Sequence, residues 1–265
     1  MKEGTCQFCG ATKQLCKAHI IPRAFYAREK KLPLMVIDLK GEKRPRKSHT
    51  GLYDEKILCL DCEEKFTKLD TYAHKHLIGG KSYLKPLKLV DGFAVDDIGR
   101  HTFFYLSDAD PFLLTKFAMS ILWRASVSDR NEVSSIKLGP YGDLYKDFIS
   151  DESVCDSKNH TLILEYELDP VMRGQGIIIG RTALDGINFN RFIAGGYSFW
   201  LKADRRLLGS PFKEIATAKM GKQTVIGSEF KASKLGQQLS KGVKSSRGRF
   251  GDPWKGRYKS SRKVT

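Results

Sequence analysis

The chain has 265 residues, 41% of them hydrophobic and 11% aromatic, and carries a formal charge of +16. That length suits one large domain or two modest ones. No stretch reaches the ~18 to 20 uninterrupted apolar residues of a membrane span, the longest candidate, Phe112 to Val127, being broken by Lys116 and Arg124.

Met1 to Gly4 lacks the apolar segment of a secretory leader, so a soluble, cytoplasmic protein is expected. Cysteine usage agrees with a reducing compartment. Four of the six cysteines form two C-x-x-C pairs, Cys6 with Cys9 and Cys59 with Cys62, while Cys16 and Cys155 have no evident partner. A disulfide scaffold is ordinarily shorter and denser in cysteine, so a bound metal explains the pairs better.

In chain order, the first pair reads as a tight turn, with Gly10 free to adopt a backbone conformation that other residues resist. Ala18-His19-Ile20-Ile21-Pro22 follows, then a basic run from Lys40 to Lys47. Lys56 to Leu58 is short and apolar enough for a strand. Cys62 to Ile78 reads as a helix, with Phe66, Leu69, Ala73 and Leu77 at helical spacing and Gly79-Gly80 as its stop. A turn-borne pair plus a pair at a helix start is the construction of a treble-clef site, four thiolates closing a tetrahedron around zinc.

Beyond residue 80 the clearest helix is Pro111 to Val127. Asp110 is placed to cap it, Pro111 suits its first turn, and Phe117, Ile121 and Leu122 form an apolar face. A shorter helix is expected over Tyr141 to Ile149. Thr161 to Leu168 alternates as a strand, and Ile177 to Ile179 and Arg191 to Lys202 read as further strands, with Gly195-Gly196 as a bend or bulge. These residues predict a small antiparallel sheet packed on the helices. The fold class is therefore α+β, with a zinc module over 1–80, a mixed helix and antiparallel-sheet domain over 81–228, and a disordered basic tail over 229–265.

That tail carries much of the charge: Lys231 to Thr265 holds eleven lysines and arginines against one acid, Asp252. Such a segment buries too little apolar surface to fold alone. It binds polyanions through counterion release, and its aromatics can stack on exposed bases. Lys241, Lys244, Arg247, Arg249, Trp254, Lys255, Arg257 and Lys259 are the candidate nucleic-acid contacts; a merely solubilising tail is the alternative.

The two cysteine pairs, the His19-Ile20-x-Pro22 segment and position 54 together resemble the zinc-stapled HNH endonucleases of the ββα-metal kind, over about residues 5–80. In that family an asparagine lies five residues before the second pair, and a histidine follows its last cysteine. Asp54 and Glu63 occupy those positions here, and Ala18 stands where a carboxylate or histidine helps hold the catalytic metal. The resemblance implies phosphodiester hydrolysis in DNA, with His19 as general base and Glu63 as a ligand of a catalytic Mg²⁺ or Mn²⁺. Asp54 would position the imidazole or brace the loop, and Cys6, Cys9, Cys59 and Cys62 would hold a structural zinc. It also implies a setting in anti-phage defence or mobile elements.

Taken alone, these residues leave alternatives. His19 also suits a structural or DNA-contacting histidine, Asp54 a turn, and Glu63 a solvated helix position that Glu64 would fill equally well. His49, His74 and His76 read as surface residues, and His101 and His160 carry no signal. Arg124 suits either a phosphate or an internal acid. The rival to an endonuclease is a non-catalytic zinc protein that binds nucleic acid through a degenerate HNH site.

Overall fold

The computed structural model describes residues 2–26, 34–38, 46–48, 51–79, 84–86, 102–150, 161–168, 176–209, 212–215 and 222–228. The candidate contacts of the basic tail from Lys241 to Lys259 lie outside the described residues, as do His49, His101, Cys155 and His160. The described residues form a mixed α+β structure, and none of their helices is long and apolar enough to cross a membrane.

Two miniature strands, β1 (Glu3–Thr5) and β2 (Thr12–Gln14), pair antiparallel and hold the first cysteine pair between them. The turn closes where Gly10 donates to the Cys6 carbonyl at 2.8 Å, with Gly10 at φ +75°. Next come β3 (Ala18–His19), one helical turn over Arg23–Phe25, β4 (Leu34–Asp38), β5 (Arg46–Ser48) and β6 (Tyr53–Asp54). Helix α1 (Leu60–Leu77) begins directly after Cys59, with Asp61 and Glu63 complementing the positive end of its dipole.

The segment Lys56–Leu58 is not a strand. Its carbonyls serve the cysteine turns instead: Ile57 accepts from the Gln7 N–H and Leu58 from the Cys16 N–H, each at 2.9 Å. The short ladder lies just upstream, where β3 and β6 pair Ala18 with Asp54 and His19 with Tyr53.

The remaining elements are β7 (Leu84–Pro86), β8 (Thr102–Leu106), α2 (Pro111–Val127), α3 (Tyr141–Ser150) and β9 (Leu162–Glu167). They are followed by β10 (Gly176–Leu184), β11 (Ile187–Ala194), β12 (Tyr197–Lys202), the single turn α4 (Phe212–Ile215) and β13 (Thr224–Ser228). Helix α2 starts as expected, the Asp110 carboxylate accepting from the Phe112 N–H at 2.8 Å. The helix does not present one apolar face. It is buried all round from Leu114 to Ala125, because α1, α3 and the sheet enclose it.

The sheet is larger than its local patterns suggest and is mixed, not antiparallel throughout. Its nine strands run β5-β4-β10-β11-β12-β9-β13-β8-β7, with parallel joints at β4–β10 and β9–β13. Gly195 and Gly196, at φ +63° and +83°, form the two-residue hairpin turn between β11 and β12; they mark neither a bend nor a bulge within one strand.

One core runs across residue 80. The Trp123 ring of α2 meets Phe8 and Phe66 at centroid distances of 5.1 and 5.7 Å, and Phe117 meets Phe25 at 5.1 Å and Phe199 of the sheet at 5.6 Å. Histidines 74 and 76 join this packing and do not lie at the surface. His76 is buried with its ring 4.3 Å from that of Tyr72, and half-buried His74 lies edge-on to Phe25.

Candidate functional site

Two centres adjoin at the start of α1. In the first, the sulfur atoms of Cys6, Cys9, Cys59 and Cys62 all lie within 4.8 Å of one another, those of Cys9 and Cys59 being 3.9 Å apart. Metal–sulfur bonds of ~2.3 Å in a tetrahedron place sulfurs ~3.8 Å apart, so the four cysteines fit a metal ion such as zinc. Among the described residues this is the one group of three or more His, Cys, Asp or Glu compact enough to hold an ion.

Burial pushes the Cys59 and Cys62 thiols up. Burial also acts on Cys6, but backbone N–H groups of Cys9, Cys59 and Phe8 outweigh it and draw that thiol down to about 7. A divalent ion would offset the mutual repulsion of four thiolates held this close. Cys16 stands apart from the group: its thiol donates to the Leu58 carbonyl at 3.4 Å, and burial pushes it up to about 11.

The second centre is built on β3. Leu15 bridges to Cys59, and the Ile20 N–H donates to the Leu52 carbonyl at 2.9 Å, so the segment leading through His19 is tied to the cysteine centre. Tyr26 locks the far side, its hydroxyl donating to the Ile21 carbonyl at 2.7 Å and accepting from the Leu52 N–H at 2.9 Å. Gly51 is required there: it sits at φ +81°, and an added Cβ would fall 2.0 Å from the Tyr26 ring.

The His19 carbonyl accepts from Arg124 Nη1 at 2.7 Å, and Glu63 on α1 lies near enough for the His19 N–H to act on its carboxylate. Arg124 is fully buried and holds Asp70 with both terminal nitrogens, at 3.0 and 2.7 Å, while Nε donates to the Ser120 carbonyl at 3.2 Å. Of the two partners open to Arg124, the structure selects the internal acid.

The His19 imidazole is half-buried, its ring 6.2 Å from that of Tyr53. Burial lowers its pKa below the ordinary histidine value, and the charges of Lys17, Arg124 and Arg23 lower it further against the opposing pull of Asp70. Neutral imidazole is the form able to accept a proton.

Glu63 and Glu64 part company here. Glu63 turns inward, and burial raises its pKa against the opposing effects of Arg124 and the His19 N–H. Its Oε2 is buried without a hydrogen-bond partner, a costly state for a carboxylate oxygen. Glu64 points to solvent, with its nearest cation, Lys68, at 4.0 Å.

Asp54 does not spend its carboxylate on the imidazole. Oδ1 accepts from the Lys56 N–H at 2.9 Å and Oδ2 from the Ser128 hydroxyl at 2.5 Å, which braces the loop against the end of α2. Arg130 adds a second strap, donating from Nη1 to the Tyr53 carbonyl at 3.0 Å. Asp70, Ser128 and Arg130 had not stood out in the sequence. Asp70 had one usable signal, since it lies two helical turns beyond Glu63 and shares its face. No family model, curated protein or solved structure matches this chain.

Proposed function

We propose that this protein is a metal-dependent endonuclease of the HNH type acting on DNA, with a treble-clef zinc at Cys6, Cys9, Cys59 and Cys62. The observation that carries this reading is the way His19 is held. Its carbonyl is fixed by the buried Arg124 and Glu63 lies beside it, while its imidazole stays half-exposed with burial lowering its pKa.

In this reading His19 takes a proton from water as that water attacks the scissile phosphorus. The zinc is scaffolding that stands in for core. A catalytic Mg²⁺ or Mn²⁺ would supply charge stabilisation at the phosphate and the leaving oxygen, and Glu63, whose Oε2 has no hydrogen-bond partner, is the residue that would hold it. Magnesium commonly keeps several waters and uses only one or two carboxylates, so a single acid is compatible with it. Arg124 orients the His19 main chain, and Asp54 with Ser128 braces the partner strand.

A second reading has its own support. Asp54 and Asp70 are engaged elsewhere and Ala18 offers no ligand, which among the described residues leaves the Glu63 Oε2 as the unpartnered carboxylate oxygen near His19. That poverty of ligands favours a non-catalytic zinc protein that binds nucleic acid. Plasmid nicking in Mg²⁺ or Mn²⁺ separates the two. Cleavage by the wild type and none by His19→Ala, with equal DNA binding, is expected; two proteins that bind alike and never cut would leave the second reading standing.

A further inference from the structure

We infer that the surface around β3, with the exposed Lys17 and Arg23 flanking His19 in the chain and with Tyr53 and Arg130 beside Lys17, is a binding strip for the phosphodiester backbone of a nucleic acid. The inference rests on the nucleic-acid reading above. It assigns backbone contact to the fold around β3, in addition to the basic tail.

Three observations converge on this surface. Lys17 and Arg23 are both exposed, and neither has an acidic partner among the described residues. Lys17 directly precedes β3, and Arg23 opens the helical turn four residues after His19. Lys17 is also pre-positioned: its Nζ sits 3.7 Å from the centre of the Tyr53 ring, the residue that pairs with His19 across the β3–β6 ladder.

Arg130 completes the cationic setting. Its guanidinium lies 5.5 Å from the same ring, fixed by the Tyr53 carbonyl and by Glu132 at 3.2 Å. Glu132 partly neutralises Arg130, so the cations available to a ligand are Lys17 and Arg23. An ammonium held over an aromatic ring gains attraction from the ring while keeping protons for an acceptor. It meets an incoming phosphate with little side-chain freedom left to lose.

The same arrangement indicates what the strip reads. A ring already carrying two cations is not an open platform for base stacking, the usual use of an exposed aromatic on single strands. Contact is therefore with phosphate oxygens, which sets position along the backbone and carries no sequence information. A backbone held by Lys17 and Arg23 is brought to the segment that carries His19.

The test is fluorescence anisotropy of labelled duplex and single-stranded 20-mers, without added divalent cation, over a salt series. The full-length chain is compared with Lys17→Ala/Arg23→Ala, with the charge-keeping Lys17→Arg/Arg23→Lys, and with Lys213→Ala on α4. Each neutralised phosphate contributes about 0.9 to the slope of log affinity against log salt on duplex DNA. The double alanine variant is expected to lose about 1.8 of that slope; the charge-keeping and Lys213 variants are expected to keep the wild-type value. A double alanine slope equal to wild type, an equal loss on removing Lys213, or no binding by the wild type overturns the strip. Cleavage with an unchanged slope defeats the strip alone, and a reduced slope without any cleavage defeats the nuclease alone.

Discussion

Arg124, fully buried on α2, donates from Nη1 to the carbonyl oxygen of His19 at 2.7 Å, across 105 residues of chain. The same guanidinium clamps Asp70 of α1. One cation therefore joins the strand that carries the candidate base, the helix that carries Glu63 and the central helix of the body. A buried arginine cannot shed its proton to escape desolvation, so its acceptors must stay in place.

Replacing Arg124 with Met is expected to cost about 3–5 kcal/mol, the usual result of removing one partner of a buried ion pair. Asp70 is then left partly buried without its counter-charge, and the His19 carbonyl without its donor. Urea denaturation measures the loss. Cleavage assayed below the unfolding transition should lose kcat with KM little changed, since no contact between Arg124 and substrate is involved. A variant as stable as wild type would contradict this account of the clamp.

Metal removal should act on more than the cysteine turns. Phe8, beside Cys9, packs on Trp123 of α2, so the thiolate centre and the body share packing. Stripping the metal with a strong chelator, or substituting Cys62→Ser, is expected to lower the melting temperature of the whole described fold. One zinc per chain by elemental analysis, lost in Cys62→Ser, is the companion measurement. An unchanged melt after complete removal would show that the ion is dispensable.

The pH dependence follows from the direction of the His19 shift. Its folded pKa lies below the ordinary histidine value of about 6.5, with burial the leading cause and Lys17, Arg124 and Arg23 assisting. The folded state thus binds this proton less readily than the unfolded chain. Its contribution to stability is present above the unfolded value and lost as pH falls through the folded one. His76, shifted the same way by burial, adds to the trend. For cleavage, the acid limb of kcat/KM is expected below pH 6.5 and should move up in Lys17→Ala. A limb above 6.5 would remove His19 from the role of base.

Glu63 and Glu64 provide an internal control, being adjacent acids with opposite environments. Glu63→Gln is expected to reduce cleavage by at least the 10²-fold associated with losing a catalytic group, whereas Glu64→Gln should stay near wild type. Glutamine keeps the size and shape of the side chain, so the fold should survive. Equal activities would mean that the unpartnered Oε2 of Glu63 has no part in the chemistry.

Bracing of the loop by Asp54 can be measured by itself. Ser128→Ala leaves Oδ2 of Asp54 buried without its donor, and a loss of about 1–3 kcal/mol is expected. Asp54→Asn, Ser128→Ala and the double variant form a thermodynamic cycle whose coupling should be at least ~0.5 kcal/mol if the two side chains interact directly. Additive losses would dissolve the strap.

Local chemistry made several elements legible before any coordinates. Asp110 and Pro111 announce α2 because the cap and the missing N–H act within one turn. The C-x-x-C spacings bring together the thiols that meet in the folded chain. A similar local signal passed unread: Asp185-Gly186, both at positive φ, forms the hairpin turn between β10 and β11. The nine-stranded sheet could not be read this way. Its parallel joint between β4 and β10 links residues far apart in sequence, and pairing of that kind leaves no periodic trace in either strand.

Sequence alone determined the cysteine cluster, the cap of α2 and the candidacy of His19, because each depends on residue types at fixed short spacing. Only the tertiary structure decided what surrounds them. It turned Glu63 inward and Glu64 outward, gave Asp54 to Ser128, and brought Arg124 from α2 onto the main chain of His19. The physical reason is desolvation. A buried charge or carbonyl must find a partner wherever the packed core supplies one, and that place is set by the whole fold, not by neighbours along the chain.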